Sequence, residues 1–267
     1  MNESTQLAGQ EHKIMFLSPT EVANYDRDGY VLVPNLFSER EVAAMLRAVA
    51  GGGRVASTAQ GMADSSGKKA GIAIWGDLGD DIWAAASTNP RIVNNLRILL
   101  REEIGFFHGK VMLKEANSGG AWEWHQDYGY WYQQGFVFPR LISAFVALDP
   151  ATRANGCLQV LRGSHLLGRL DHASVGQQVG ATTERLRKIE TLLERVYCEM
   201  SPGSVLFFHC NLLHASAPNE SDSPRRSFIM CYNALNNPEL GEHRATDPYP
   251  CPISSDDAIL KFAEDSA

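Results

Sequence analysis

The chain has few cysteines, and their arrangement argues against zinc and disulfide sites. The five cysteines are an odd number among 267 residues, and no two of them have the CxxC spacing of a metal ribbon or a redox pair. We therefore interpret them as reduced thiols buried in the core, as is typical of a cytoplasmic protein.

Long apolar runs and basic clusters are also missing. No stretch of about 18 apolar residues occurs, so the sequence predicts no membrane span. The opening residues MNESTQLAGQEHK lack the basic start and apolar run of a signal peptide. The net charge is −7, and no basic run exceeds two or three residues. These absences argue against nucleic-acid and membrane partners, and we expect a cytoplasmic location.

Two segments in the first part of the chain have the pattern of a capping box. In this pattern a serine and a glutamate three residues later bond to each other's backbone amides. Ser18 and Glu21 predict the start of one helix, and Ser38 and Glu41 predict the start of another. A third helix is predicted at residues 90–102, where apolar residues recur at helical spacing.

Two other segments have the composition of irregular structure. Residues 51–71 are rich in glycine and serine, and residues 1–13 are polar. We expect residues 51–71 to form a long loop, either mobile or able to close over a substrate as a lid. We expect residues 1–13 to be a loose N-terminal tail.

The second half of the chain has the pattern of a strand-rich core. Short runs such as SVLFFH and RSFIMCYNAL alternate with turn residues. One helix is expected at residues 182–196, where apolar residues from Leu186 to Val196 share a face. Helices followed by strands predict an α+β protein whose mainly β core is a barrel or jelly roll with flanking helices. No linker separates the halves, so we expect residues 1–267 to form a single domain.

The segment WHQDYGYW places a histidine and an aspartate two positions apart. Alternate side chains of an extended strand face the same side, so His125 and Asp127 would point together. They could supply two ligands of a metal ion, with a third from another strand. Two histidines and one carboxylate leave coordination positions open, which suits non-haem Fe(II). The pair alone is a weak signal, because a polar strand face often produces it by chance.

The third ligand should be one of the later histidines. The candidates are His165, His172, His209, His214 and His243. Both His209 and His214 lie where a strong strand leads into a polar turn, as histidines do at the mouth of a barrel. Arg225 lies at the start of the next strand, and its permanent charge suits the carboxylate of a 2-oxo acid co-substrate.

The remaining histidines have simpler explanations. We expect the imidazole of His165 to bond to backbone groups in a turn. His209 is expected to pack within its strand or to support the site. His172 and His243 are expected at the surface.

Four segments, taken together, resemble one known family. The opening LSPTEVANYDRDGYVLVPNLFSEREV resembles its N-terminal helix and strand, and WHQD matches its His-x-Asp motif. ANGCLQVLRGSH and FFHCNLLHASAPNESDSPRRSF match its later motifs. Over roughly residues 15–235, the chain resembles the phytanoyl-CoA dioxygenase family of Fe(II)/2-oxoglutarate oxygenases. The resemblance implies a double-stranded β-helix, the cupin-like jelly roll, with flanking helices.

The resemblance also implies roles for individual residues. His125, Asp127 and His214 match the iron ligands of the family. Arg225 matches the residue that binds the distal carboxylate of 2-oxoglutarate, and Arg226 beside it is the alternative.

Further contacts are expected around these residues. Ser216 is a second candidate contact of the distal carboxylate, and His108 and Lys114 are candidates on a strand that contributes co-substrate contacts in the family. Tyr130 and Trp131 directly follow the metal pair, and such aromatics predict either barrel packing or a substrate wall. The aromatic segment favours an apolar or ring-containing substrate.

The activity that the resemblance implies is that of an Fe(II)- and 2-oxoglutarate-dependent dioxygenase. It would hydroxylate an unactivated C–H bond of a small molecule with O2 and release succinate and CO2. Asp127 argues against a halogenase, because related halogenases have a small residue there. A cupin-like zinc hydrolase could use the same three ligands, although it would not need Arg225. A non-catalytic metal- or ligand-binding protein on the same fold is the third hypothesis.

Overall fold

The protein is described by a computed structural model over residues 16–117, 120–240 and 249–265. The expected loose tail at residues 1–13 lies outside the described residues. The helices are α1 (Pro19–Asp28), α2 (Glu39–Ala50), α3 (Gly53–Thr58), α4 (Ile82–Ser87), α5 (Pro90–Leu100), α6 (Asp127–Gln133), α7 (Thr183–Glu190) and α8 (Ala258–Asp265).

The strands form two larger antiparallel sheets and one hairpin. They are β1 (Tyr30–Val33), β2 (Ala59–Ala63), β3 (Lys69–Trp75), β4 (Ile104–Lys114), β5 (Trp122–His125), β6 (Leu141–Ala147), β7 (Leu158–Leu161), β8 (His172–Val175), β9 (Gln178–Ala181), β10 (Arg195–Cys198), β11 (Val205–His209), β12 (His214–Ser216) and β13 (Arg225–Ala234). The order is β1-β11-β6-β13-β4-β3-β2 in the seven-stranded sheet and β10-β7-β12-β5 in the four-stranded sheet, and β8 pairs with β9. The predicted mainly β core with flanking helices is confirmed.

Side chains of the seven-stranded sheet alternate between two apolar clusters. On β6, Ile142 and Val146 join a cluster that includes buried residues of α2, α4, α5 and α8. Phe145, between them, joins a second cluster that includes Leu158 and Val160 of the four-stranded sheet. Helices therefore cover one face of the larger sheet, and the smaller sheet covers the other. Each fully buried Ile, Val or Phe contributes about 1.5–3 kcal/mol to this core.

The predicted helix starts are confirmed in detail. The Ser18 hydroxyl accepts a hydrogen bond from the Glu21 amide at 3.3 Å, and the Glu21 carboxylate accepts one from the Ser18 amide at 2.7 Å. Ser38 and Glu41 make the same pair of bonds at the start of α2. The helix predicted at residues 90–102 is present as α5. All five cysteines are buried and free, as expected.

The prediction that residues 51–71 form a long loop is wrong, whereas closure of this region over a substrate stays a prediction. This region contains α3, β2 and the first residues of β3, and Gly61 lies opposite Gly71 in the β2–β3 pairing. Gly71 also lies so close to β4 that a Cβ there would be 2.9 Å from the Leu113 Cβ. Here glycine permits close packing of strands instead of marking a loop.

The helix predicted at residues 182–196 is half wrong. α7 ends at Glu190, and Val196 lies in β10 opposite Val160 of β7. β10 pairs with β7 at the edge of the smaller sheet. The backbone hydrogen bonds formed there stabilise a strand, although the apolar residues have helical spacing. Among the described helices, none combines the length and the apolar character that a membrane crossing requires. That residues 1–267 form one domain stays a prediction.

Candidate metal centre and its two cavities

Three buried side chains from separate elements meet inside the barrel. His125 ends β5, Asp127 begins α6, and His214 begins β12, directly opposite His125 in the β5–β12 pairing. Their candidate donor atoms all lie within 4.8 Å of one another. Asp127 Oδ1 is 3.8 Å from His125 Nε2 and 4.0 Å from His214 Nε2. The expected trio is therefore brought together, with the spacing of ligands around one ion.

The prediction that His125 and Asp127 lie on one extended strand is wrong after His125. Gln126 keeps an extended conformation, with φ −109° and ψ 133°, and the helix α6 begins at Asp127. Because Gln126 is extended, Asp127 still points to the same side as His125. The two side chains therefore lie together as expected, although Asp127 begins a helix.

Both imidazoles present the correct nitrogen to a metal ion. Nδ1 of His125 lies 2.7 Å from the Glu123 carbonyl, and Nδ1 of His214 lies 2.9 Å from the Leu212 carbonyl. A carbonyl only accepts, so each Nδ1 carries the proton and each Nε2 keeps its lone pair toward Asp127. Burial lowers the pKa of both histidines, which favours the neutral form that binds metals. This donor set fits Fe(II) held by two histidines and one carboxylate.

Asp127 is held in its ionised form by a lysine that the sequence analysis missed. Burial alone would raise the pKa of Asp127, but the charge of Lys110 holds this pKa well below its usual value. Lys110 Nζ lies 3.5 Å from Oδ1, and Ser143 donates to Oδ2 at 3.1 Å. Lys110 stands two positions after His108 on β4, so the alternation of that strand could have revealed it.

A small cavity of about 40 Å³ leads from the donors to a buried guanidinium. We call it the smaller cavity; its polar lining is His125, His214, Ser216, Arg225 and Lys110.

Arg225 is fully enclosed at this place and only partly bonded. Its Nη2 donates to the Gly156 carbonyl at 2.9 Å, and its Nη1 lies 3.4 Å from the Ser227 hydroxyl. Among the described residues, its Nε has no hydrogen-bond partner. Burial lowers the pKa of Arg225 to about 10. The guanidinium is thus a buried cation with unused donor capacity beside an open space.

Arg226 forms an ion pair with Asp149. Its Nε and Nη2 bond to the two carboxylate oxygens of Asp149 at 2.7 and 2.8 Å, and its backbone amide bonds to the same carboxylate. This paired, half-exposed charge needs no further anion. The geometry therefore favours Arg225 over Arg226 as the carboxylate contact.

Lys114 lies behind the smaller cavity and does not line it. It is directly opposite Arg225 in the β4–β13 pairing, and its ammonium donates to the carbonyls of Ser216 and Ala217. Burial and the charge of Arg225 lower the pKa of Lys114 to about 6. Lys114 therefore supports the backbone of Ser216, and it adds positive charge at the closed end of the cavity when it is protonated.

A second cavity of about 500 Å³ opens on the other side of the donors. We call it the larger cavity; its walls include Trp75, Phe107, His108, Trp122, Tyr130, Trp131, Gln134, Gln177 and Val179, and His125, Asp127 and Lys110 lie at its base. The expected aromatic pair thus lies in a cavity wall next to the donors.

The two aromatic residues of this wall are fixed by their own contacts. Tyr130 donates to the Val179 carbonyl at 2.7 Å, and its ring centroid is 5.4 Å from that of His125. Trp131 packs edge-on against Phe107 and His108, with ring centroids 5.6 and 5.7 Å apart. His108 lines the larger cavity and not the smaller one. Burial, with Lys110 nearby, lowers the pKa of His108 to about 3, so this imidazole is neutral.

The other histidines are outside the donor trio. His165 contacts the Asp26 carbonyl at 3.1 Å, which agrees with the expected backbone role. His209 ends β11 and packs against His165, with ring centroids 5.5 Å apart. The surface position expected for His172 is wrong: it is half-buried and accepts a hydrogen bond from the Gln126 amide at 2.9 Å. His243 lies outside the described residues.

Comparison with known proteins agrees with this geometry. The model of the family described as phytanoyl-CoA dioxygenase (PhyH) matches residues 25–227. The chain is 29% identical to an ectoine dioxygenase of Bordetella parapertussis over 262 residues, covering 86% of this chain and 82% of that protein. It is 25% identical to an L-proline trans-4-hydroxylase of Streptomyces griseoviridis over 231 residues, covering 80% and 85% of the two chains.

Solved structures share the fold. The apo form of EctD from S. alaskensis superposes with a TM-score of 0.75 at 25% identity, covering 90% of this chain and 88% of that chain. The family match spans more than half of the chain, and the donor trio is complete. The chain therefore belongs to the phytanoyl-CoA dioxygenase family, and it is an Fe(II)- and 2-oxoglutarate-dependent dioxygenase of the hydroxylase type.

Proposed function

We propose that His125, Asp127 and His214 hold the Fe(II) ion, and that Arg225 and Ser216 hold the distal carboxylate of 2-oxoglutarate. The larger cavity then holds the substrate. Fe(II), 2-oxoglutarate and O2 supply the hydroxylation of an unactivated C–H bond, with release of succinate and CO2. The buried, incompletely bonded Arg225 at the closed end of the smaller cavity is the observation that carries this proposal.

Arg225 carries a charge in a buried position, which is costly unless the charge is compensated. A guanidinium taken out of water is stable only where an anion or several acceptors compensate it. Gly156 and Ser227 satisfy part of its donor capacity, and the Nε hydrogen has no partner among the described residues. A carboxylate in the smaller cavity would complete this set through charge-assisted hydrogen bonds.

Gly156 holds the guanidinium in place from behind. It adopts a φ of +74°, and a Cβ at this position would be 2.2 Å from the Ala217 carbonyl oxygen. Only glycine fits there, so its carbonyl can approach Arg225 and orient the side chain. Ser216, which lines the same cavity and is buried, supplies a hydroxyl for the carboxylate.

Lys110 is the residue that we expect to orient the substrate. Its side chain borders both cavities and is only 14% exposed. Burial works against its charge, but the Asp127 carboxylate raises the pKa of Lys110 above its usual value. When Asp127 serves as a metal ligand, less of its charge remains for the ammonium. An acidic group on the substrate would replace that partner.

The substrate is therefore a small molecule with a ring or apolar body and an acidic group. A cavity of about 500 Å³ lies within the roughly 300–1,000 Å³ of small-molecule sites. Its aromatic walls bury the body and exclude water, while Lys110 binds the acid. By their names, the relatives act on ectoine and L-proline, both compact ring compounds with one carboxylate.

The alternatives explain fewer of these observations. A zinc hydrolase could use the same donor trio, but it has no use for a buried arginine at the end of the smaller cavity. A non-catalytic metal-binding protein could also use the trio, but it has no need for the buried, incompletely bonded Arg225 at the closed end of the smaller cavity.

The test is an anaerobic titration of the metal-free protein with Fe(II) and then 2-oxoglutarate. The account predicts one Fe(II) site and a weak visible charge-transfer band when 2-oxoglutarate is added. Binding of Fe(II) without that band would contradict the co-substrate assignment. Turnover is then followed as succinate release with ring-containing carboxylic acids, each paired with its methyl ester. The acid should have the lower KM of each pair, and equal values would contradict the role of Lys110.

A further inference from the structure

Three hydrogen bonds hold the side chain of Gln126, the residue between the donors His125 and Asp127. Gln126 is fully buried, and its Nε2 donates to the carbonyls of Gly168 and Asn211, both at 2.8 Å. Its Oε1 accepts a hydrogen bond from the Leu170 amide at 2.7 Å. Both amide hydrogens and one oxygen lone pair are therefore used, so the side chain of Gln126 is fixed.

The backbone of Gln126 is held by a histidine from a distant segment. His172 Nδ1 lies 2.9 Å from the Leu170 carbonyl, so this nitrogen carries the proton and donates it. Nε2 then has a free lone pair, and it accepts a hydrogen bond from the Gln126 amide at 2.9 Å. This amide belongs to the peptide that joins His125 to Gln126.

The imidazole also needs the space beside a glycine of α6. A Cβ on Gly129 would be 2.3 Å from His172 Cε1 and under 3 Å from both ring nitrogens. Glycine at this position therefore permits the ring to lie against the first turn of α6, where Asp127 begins the helix. His172 thus contacts the metal-binding segment on both sides of Asp127.

The same hairpin forms part of the substrate wall. His172 begins β8, and Gln177, Gln178 and Val179 at the turn and in β9 line the larger cavity. The Gln178 side chain accepts from the Glu123 amide and donates to the Ala121 carbonyl, both at 2.9 Å. The hairpin is therefore bonded along β5, which ends in His125.

We propose that His172 is a positioning residue that fixes the peptide between His125 and Asp127 and connects the metal-binding segment to the β8–β9 wall of the larger cavity. The inference rests on the proposed function, because it takes His125 and Asp127 as metal ligands. A neutral imidazole suits this place since it donates to Leu170 and accepts from Gln126 within one rigid ring. A side chain without an acceptor would leave the buried Gln126 amide unpaired, which is costly.

Two substitutions separate the hydrogen bond from the shape of the ring. His172→Phe keeps a planar ring and removes both hydrogen bonds, whereas His172→Gln keeps an acceptor for the Gln126 amide. The matched control is His165→Phe, which removes a half-buried imidazole that also contacts a backbone carbonyl, away from the donor trio. Fe(II) affinity is measured by anaerobic titration, and the rate of Fe(II) loss is measured by transfer to a chromogenic chelator.

Supporting groups around metal ligands typically change affinity by about 10–100-fold. We expect His172→Phe to weaken Fe(II) binding by about tenfold or more, His172→Gln to recover most of this loss, and His165→Phe to bind like the wild type. Fe(II) binding that is unchanged in His172→Phe would overturn the inference. An equal loss in all three variants, parallel to a fall in the Tm of the metal-free protein, would also overturn it, because the role would then be structural.

Gly129→Ala disturbs the position of the His172 ring without changing His172 itself. It provides the test if His172→Phe does not fold. The added methyl group displaces the imidazole, so Fe(II) should again bind about tenfold more weakly; wild-type affinity in this variant would contradict the inference. Failure of the wild type to bind Fe(II) at all would refute the proposed function instead. Normal binding by the wild type and by the His172 variants would refute only the inference.

Discussion

The two cavities that meet at the donor trio differ in size, charge and origin along the chain. The smaller one, about 40 Å³, ends at Arg225 and Ser216, and both residues lie on the strands β13 and β12 of the barrel itself. The larger one, about 500 Å³, is walled by aromatic residues of α6, β3 and β4 and by the β8–β9 hairpin. The closed, charged end suits a co-substrate that does not vary, and the open, aromatic end suits a substrate that differs between relatives.

The donor trio borders both cavities, so loss of a donor should impair the binding of co-substrate and the turnover of substrate together. His214→Ala removes one ligand, and we expect Fe(II) affinity to fall by more than the roughly 100-fold seen for supporting groups, with loss of all succinate release. His209→Ala is the matched control, because His209 ends β11 and is outside the trio. The Fe(II) affinity of both variants is measured by equilibrium binding. Strong iron retention in His214→Ala would show that another residue supplies the third ligand.

Lys110 should determine how tightly the protein binds an acidic substrate. Lys110→Met removes a charge-assisted hydrogen bond worth about 1.5–3 kcal/mol, so KM for an acidic substrate should rise by roughly 10–150-fold. KM for the methyl ester of that substrate should change little, and this comparison is the control. Lys110→Arg should recover part of the loss. If acid and ester respond equally, Lys110 positions Asp127 and does not bind the substrate.

Lys114 should make 2-oxoglutarate binding depend on pH. Burial and the charge of Arg225 lower the pKa of Lys114 to about 6, and Asp64 and Cys157 oppose this shift more weakly. Above that pH the free protein has lost the proton, and a carboxylate bound at Arg225 favours its return. Binding then takes up a proton, so 2-oxoglutarate affinity should be flat below about pH 6 and fall by at most about tenfold per pH unit above it.

The measurement for Lys114 is calorimetry of 2-oxoglutarate binding to the Fe(II) protein in buffers of different ionisation enthalpy. Proton uptake should be present in the wild type at pH values above the lowered pKa and absent in Lys114→Met. Uptake of the same size in both proteins would assign the proton to another group.

The smallest effect is expected far from both cavities. Ser18→Ala removes the cap of α1 and should reduce the free energy of unfolding by about 1 kcal/mol, as measured by urea denaturation. Fe(II) and 2-oxoglutarate affinities should stay unchanged, since no residue of α1 lines either cavity. A change in either affinity would show that the helical layer influences the site.

The parts that could be predicted from sequence are those determined by near neighbours. Ser18 and Glu21 bond across one helical turn, so their pattern is visible in the sequence. His125 and Asp127 are separated by one extended residue, and strand alternation placed them together although the strand stops at His125. The family resemblance then supplied His214, which local patterns had left among several histidines.

The parts that could not be predicted depend on contacts between distant segments. His172 was expected at the surface, because nothing near it in the sequence shows that it bonds to Gln126, 46 positions away. The 51–71 region looked like a loop because glycine has no local preference, and the pairing of β2 with β3 and of β3 with β4 brings part of it into the sheet. Val196 likewise joined a sheet edge that its own apolar spacing does not reveal.

The most direct test of the account is the 2-oxoglutarate affinity of the Fe(II) protein in Arg225→Ala and Arg226→Ala. These neighbours differ in one respect: Arg226 is paired with Asp149, and Arg225 faces the smaller cavity. We predict that Arg225→Ala weakens 2-oxoglutarate binding by at least about tenfold, as expected for loss of a charge-assisted hydrogen bond, while Arg226→Ala binds it like the wild type. Equal affinities in the two variants, or a loss only in Arg226→Ala, would contradict the assignment of the smaller cavity to the co-substrate.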